Sequence, residues 1–180
     1  MSAKEDILAK CRASIRERFD MPSLDDIAPI TWEDPVAQFI ASLESAGGKA
    51  VEVPEGSDID TFIRELCPDA HCFARDLQEL PAEGLDVGIV EGTVGVAENA
   101  CVWVPQTMKE KAVCFICEHL VIILPRKAIV NNMHEAYRAI EMNDYGYGCF
   151  ISGPSKTADI AQVLVMGAQA ARSVTVLLTA

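Results

Sequence analysis

The chain has 180 residues, half of them hydrophobic and 23% charged, which is the composition of one globular domain rather than of a disordered chain. Twenty-seven acidic residues against fifteen basic ones leave a net charge of −12. No Lys/Arg cluster is large enough to track a nucleic-acid backbone, so nucleic acid is excluded as the expected partner. The first twenty residues have no apolar core of the signal-peptide kind, and Leu120–Leu124 is far shorter than a membrane span. Seven cysteines, an odd number, point to reduced thiols and a cytoplasmic setting.

In chain order, Ile7, Leu8, Cys11 and Ile15 recur at helical spacing and predict a helix over Ala3–Phe19 that Pro22 ends. This helix and its linker, residues 1–30, are expected to stand apart from a single domain over 31–180. Asp34 as cap and Pro35 in the first turn predict a second helix to Ala46, which Gly47 and Gly48 stop. Strands are expected at Lys49–Val53, His71–Ala74, Leu85–Val90, Cys101–Val104 and Cys149–Ser152. A third helix is expected at Asp58–Leu66. Leu120–Leu124 reads as a strand buried on both faces, and Asn131 or Asn132 as the cap of a helix to about Met142. Thr157–Gly167 reads as a helix and Ser173–Leu178 as a β-branched strand; Met108–Cys117 is ambiguous. The alternation predicts an α/β fold, three-layered, with a largely parallel central sheet and helices on both faces. Ligands of such sheets gather beyond the strands' carboxyl ends.

Two polar stretches stand out on that rule. Gly153, Ser155, Lys156, Thr157 and Asp159 follow a strand and precede the expected helix. Its first-turn N–H groups, with the Lys156 charge, would hold a phosphate or carboxylate. The competing reading is a plain capped helix start with a solvated lysine. The segment is not a Walker A loop. Glu98 is a lone carboxylate in a small apolar run after Gly88, Gly92 and Gly95. It is either a base beside the Ser152–Asp159 loop or an acceptor for backbone N–H groups. The glycine spacing does not fit a dinucleotide loop. His119 heads the Leu120–Leu124 run and either shuttles protons or closes the core edge. Cys114 and Cys117, two before His119, lack a second cysteine pair, so buried thiols are expected rather than a metal site. Asp144–Gly148 is an aromatic loop that either lines a pocket or packs on another subunit.

The stretch from Ile151 to Ile160, with Leu164-Val165-Met166-Gly167, resembles the G-P-S-[RK]-T-A-D-I signature of the lactate-utilization protein C family, the LUD-domain family. Val96-Ala97-Glu98 and Glu118-His119-Leu120 resemble further family segments, and the likeness spans about Asp34–Ala180. It departs at Asn99, Ala100 and Cys101, at Cys117 in place of a proline, and at Gln169-Ala170-Ala171-Arg172 in place of H-G-P-R. The resemblance implies a fold like that of the NagB, ribose-5-phosphate isomerase and CoA-transferase proteins. It also implies an accessory role in L-lactate or related organic-acid oxidation, beside iron–sulfur oxidoreductase subunits, with no cofactor or metal of its own. Glu98 and His119 would then handle protons, and Gly153, Ser155, Lys156, Thr157 and Asp159 would bind a small carboxylate or phosphate. Two alternatives stay open: an enzyme acting on a sugar phosphate or acyl-CoA, and a protein-interaction module. A homo-oligomer is open as well.

Overall fold

Asp34 accepts hydrogen bonds from the Val36 and Ala37 N–H groups and so opens helix α2, Pro35–Ser45. Pro35 loses nothing there, because a first-turn N–H has no helical partner. Phe39 and Leu43 lie four apart on one face of α2 and are fully buried. Burial of one such side chain stabilises the fold by about 1.5–3 kcal/mol. The computed structural model describes residues 2–20, 22–23, 28–79, 84–141, 146–159 and 162–180.

Five strands make the main sheet: β1 (Lys49–Glu52), β2 (Phe73–Ala74), β3 (Leu85–Glu91), β6 (Cys117–Pro125) and β11 (Ser173–Thr179). Their order is β1-β11-β6-β3-β2, and every neighbouring pair is parallel. Alternation along β6 sorts the two faces. Leu120, Ile122 and Leu124 join Val174, Val176 and Leu178 of β11 in a core closed by Phe39 and Leu43 of α2. Val121, with Val87, Ile89 and Leu177, faces Ile63 of helix α3, Ile59–Leu66. Helices on both faces of a parallel sheet give the three-layer α/β arrangement expected from the sequence.

A second, four-stranded sheet lies on the α2 side. It is ordered β7 (Ile129–Val130), β4 (Val94–Val96), β5 (Val102–Pro105), β8 (Gly148–Ile151), with β4–β5 and β5–β8 antiparallel. The glycine-spaced stretch is thus a strand and a return strand, with Glu98 in the turn between β4 and β5. Helix α5, Met133–Ala139, capped by Asn132, packs Ala136 on Val94, Val96 and Trp103. Met108–Cys117 resolves into a four-residue helix, α4 (Val113–Ile116), running into β6. Helix α1, Ala3–Ser14, carries a capping box between Ser2 and Glu5 and buries none of its residues. It ends at Ser14, before the Phe19 expected from the periodicity.

One expected element is not found among the described residues, which leave out Ile160 and Ala161 of that stretch. Lys156–Thr157 and Val165–Met166 pair as antiparallel strands β9 and β10, where a helix over Thr157–Gly167 was expected. Gln162 has φ +57°, which a right-handed helix does not accommodate. Asp144 and Tyr145 of the aromatic loop lie outside the described residues. In the described part, Lys111 sits 4.6 Å from the Tyr147 ring centroid.

Candidate functional site

The strands of the main sheet bring a row of polar residues to one rim. Lys49 begins β1, Ser173 begins β11, His119 is the third residue of β6 and Asp86 the second of β3. Because all these strands are parallel, their leading residues meet at the amino-terminal edge of the sheet. Ser173 pairs in register with His119, and Lys49 with Thr175. The row borders a cleft of about 580 Å³, walled by Cys67 and Asp69 at the carboxyl end of α3 and by Gly47 and Gly48. That volume is in the range of small-molecule sites.

His119 is half-buried, and its Nδ1 lies 2.6 Å from Ser173 Oγ. No described residue bonds its Nε2. Asp86 Oδ2 accepts the His71 N–H at 2.7 Å and the Cys72 N–H at 2.8 Å. Oδ1 has no partner among the described residues. The Cys72 and His71 N–H groups, helped by the charge of His71 and His119, hold the Asp86 carboxyl below the ordinary 3.8 against a smaller opposing effect of burial. Burial pushes the Cys67 thiol up.

The signature loop reaches the same edge from the other sheet. The Ser155 N–H donates to Ala171 O at 2.9 Å, just before β11 begins. Gly153 has φ +67°, and a Cβ there would lie 2.9 Å from Ala46 O, at the end of α2. Lys156 is exposed; its Nζ would be 3.2 Å from a Cβ on Gly47, whose own φ is +82°. So the loop sits at the amino-terminal rim of the parallel sheet, not at its carboxyl ends. The reason is topological: the loop follows β8, which belongs to the second sheet. Nor does it open a helix, so no helix dipole or first-turn N–H array is available to an anion there. Thr157 Oγ1 donates instead to Asp159 Oδ1.

Glu98 lies in a different depression, of about 410 Å³, with Ser42, Ser45 and Asn99. Its Oε2 accepts the Met133 N–H at 3.1 Å, so the carboxylate sits at the start of α5. The Ser152 hydroxyl donates to Asn99 O at 2.6 Å. Glu98 therefore neighbours the head of the loop, while His119 opens into the cleft on the other side of the α2 end. Burial pushes the Cys101 thiol up, opposed by a hydrogen bond with Ser152 and reinforced by the Glu98 charge.

The sequence pattern pointed to His119 and Lys156 but passed over Lys49, Asp86 and Ser173. A signal was present: each of these residues is a polar leader of an apolar strand. Cys114 and Cys117 are buried, and burial pushes their thiols up to about 12 and about 11.

None of the curated proteins matches this chain. Among solved structures it is similar to a DUF162 family protein from Deinococcus radiodurans, at 12% identity and a TM-score of 0.60, over 84% of this chain and 100% of that one. At that identity the likeness speaks to the fold. The LUD domain profile matches residues 73–179, which include Asp86, Glu98, His119, the Gly153–Asp159 loop and Ser173. The chain belongs to the LUD domain family.

Proposed function

We propose that this protein is an accessory component of the oxidation of L-lactate or a related organic acid, and that it binds a small carboxylate in the rim cleft. The LUD domain family is associated with lactate utilisation, and the matched segment supplies three of the four rim residues. The observation that carries the reading is the line of polar groups along the cleft: Lys49, Ser173 and His119 on adjacent strands. A carboxylate seated there meets an ammonium and a hydroxyl, and charge-assisted bonds of this kind are about twice as strong as neutral ones. Lys156, beside Gly47, adds positive charge from the loop side.

His119 is the proton-handling group in this reading. Its Nε2 has no partner among the described residues, whereas the Glu98 carboxylate is engaged at the start of α5. Ser155, Thr157 and Asp159 shape the loop that carries Lys156. The partners in the reaction are iron–sulfur oxidoreductase subunits, which supply the electron acceptor that this chain's own residues do not.

The test is a titration of the purified protein with L-lactate, pyruvate and inorganic phosphate, followed by the His119 ring signals in NMR. A saturable shift with a carboxylate, lost in Lys49→Ala, is the expected result. Unmoved His119 signals at saturating concentrations of all three compounds would remove the cleft as the ligand site.

A further inference from the structure

The rim of the cleft is electrically polarised along one direction. In sheet order the four strands are β1, β11, β6 and β3, so the polar leaders run Lys49, Ser173, His119, Asp86. Cationic charge lies at the β1 end, where Lys49 is joined by Lys156 beside Gly47. Anionic charge lies at the β3 end. There Asp86 is pinned through Oδ2 by the His71 and Cys72 N–H groups, which leaves Oδ1 unpaired. Asp69, two residues before His71, lines the same side of the cleft. Between the poles stand a hydroxyl and an imidazole, already bonded to each other.

We propose that this cleft takes an extended dipolar ligand, a zwitterion of about tripeptide length, with its anionic end at Lys49 and its cationic end at Asp86. The proposal rests on the reading that the rim cleft is the ligand site, and it names the ligand class. Three strand spacings separate the poles, about 14 Å between strand axes before the side chains reach inward. A three-carbon acid fills one end only. An extended tripeptide spans about 10 Å between its charged termini, and the polar groups of its middle meet Ser173 and His119. The anionic pole and the middle of the cleft are held by the fold: Asp86 by two backbone donors, His119 by Ser173. Such preorganisation favours binding, because little ordering remains to be done when the ligand arrives. The cleft's acids, Asp69, Asp86 and Glu118, outnumber Lys49 among its charged lining, so a compact dianion is repelled where a zwitterion is not.

The experiment uses the full chain and a ladder of probes: glycine, diglycine, triglycine and tetraglycine, with N-acetyl-triglycine, triglycine amide and L-lactate as controls. Calorimetric titration is expected to show affinity rising about tenfold or more from glycine to triglycine, and falling by about as much when either terminus is blocked. Asp86→Asn removes the penalty for N-acetylation and leaves the penalty for amidation; Lys49→Gln does the reverse. Lys49 is exposed, so its variant reads the positive pole even if loss of the Asp86 charge loosens the fold. If L-lactate binds and the ladder is flat, the dipolar ligand is wrong and the carboxylate site stands. If neither L-lactate nor any peptide binds, both readings fall.

Discussion

Ser173 Oγ and His119 Nδ1 lie 2.6 Å apart on neighbouring parallel strands, in direct register, at the edge where both strands begin. The contact restrains the imidazole through Nδ1, while Nε2 has no partner among the described residues and the residue lines the cleft. It joins β11 to the centre of the sheet at the polar rim, one residue before the apolar run of each strand begins.

Loss of the hydroxyl in Ser173→Ala is therefore expected to free the ring. Nitrogen-detected NMR should show one imidazole tautomer in the parent protein and a mixture in the variant. A half-buried hydrogen bond of this kind contributes about 0.5–1.5 kcal/mol, so the melting temperature should fall only slightly. A variant with an unchanged tautomer pattern would mean that something other than Ser173 orients His119.

Asp76 ties two distant loops together by accepting the Leu77, Lys109 and Glu110 N–H groups. The Glu110 and Lys109 bonds hold its carboxyl below the ordinary 3.8. A carboxyl with a lowered folded value adds stability above 3.8 and loses it as the pH falls through that folded value. Asp76→Asn should thus melt below the parent protein at neutral pH, and the gap should close in acid. A gap that stays constant in melting curves across that range would refute the assignment.

The thiols divide by burial. Cys11 and Cys72 are exposed, and Cys114 and Cys117 are buried with their ionisation pushed up to about 12 and about 11. An aromatic disulfide reagent at mildly alkaline pH should modify Cys11 and Cys72 in the native protein, and Cys114 and Cys117 only after denaturation. The raised values also predict a stability that holds below the ordinary thiol value of 9.0 and declines as the pH rises toward the folded values. Rapid labelling of Cys114 under native conditions would contradict the packing.

Gly153 occupies a left-handed backbone position, and a side chain there would press against Ala46 O at 2.9 Å. Gly153→Ala is expected to cost about 1–3 kcal/mol through backbone strain and close contact. It should also displace Lys156, weakening carboxylate binding beyond what the lost stability explains. Denaturant melts read the first effect and ligand titration the second.

What the sequence disclosed was mostly local. Asp34, and Asn132 as one of two candidates with Asn131, were readable as caps because each precedes an apolar periodicity, and each does accept a first-turn backbone N–H. The uniformly apolar Leu120–Leu124 was readable as a buried strand for the same kind of reason. The segment after Gly153 was not: Leu164 and Gly167 follow at helical spacing, but pairing of Lys156–Thr157 with Val165–Met166 overrides that preference. Nothing local tells that Ile151 and its neighbours join a second sheet, and that membership turns the loop toward the amino-terminal edge. The polar leaders Lys49, Asp86 and Ser173 each look like an ordinary strand boundary, and only the parallel order of their strands brings them to one rim.

The seven-residue strand β11 lies between β1 and β6, so that Lys49 waits for Thr175 before it has a neighbour. During synthesis the two halves of the central sheet emerge from the ribosome without the strip that joins them. Such distant pairings make a slow, late closing step. Until then the inner surfaces of both halves are open to chaperones, and a transcript stopped before residue 173 would yield a sticky fragment rather than a smaller working protein.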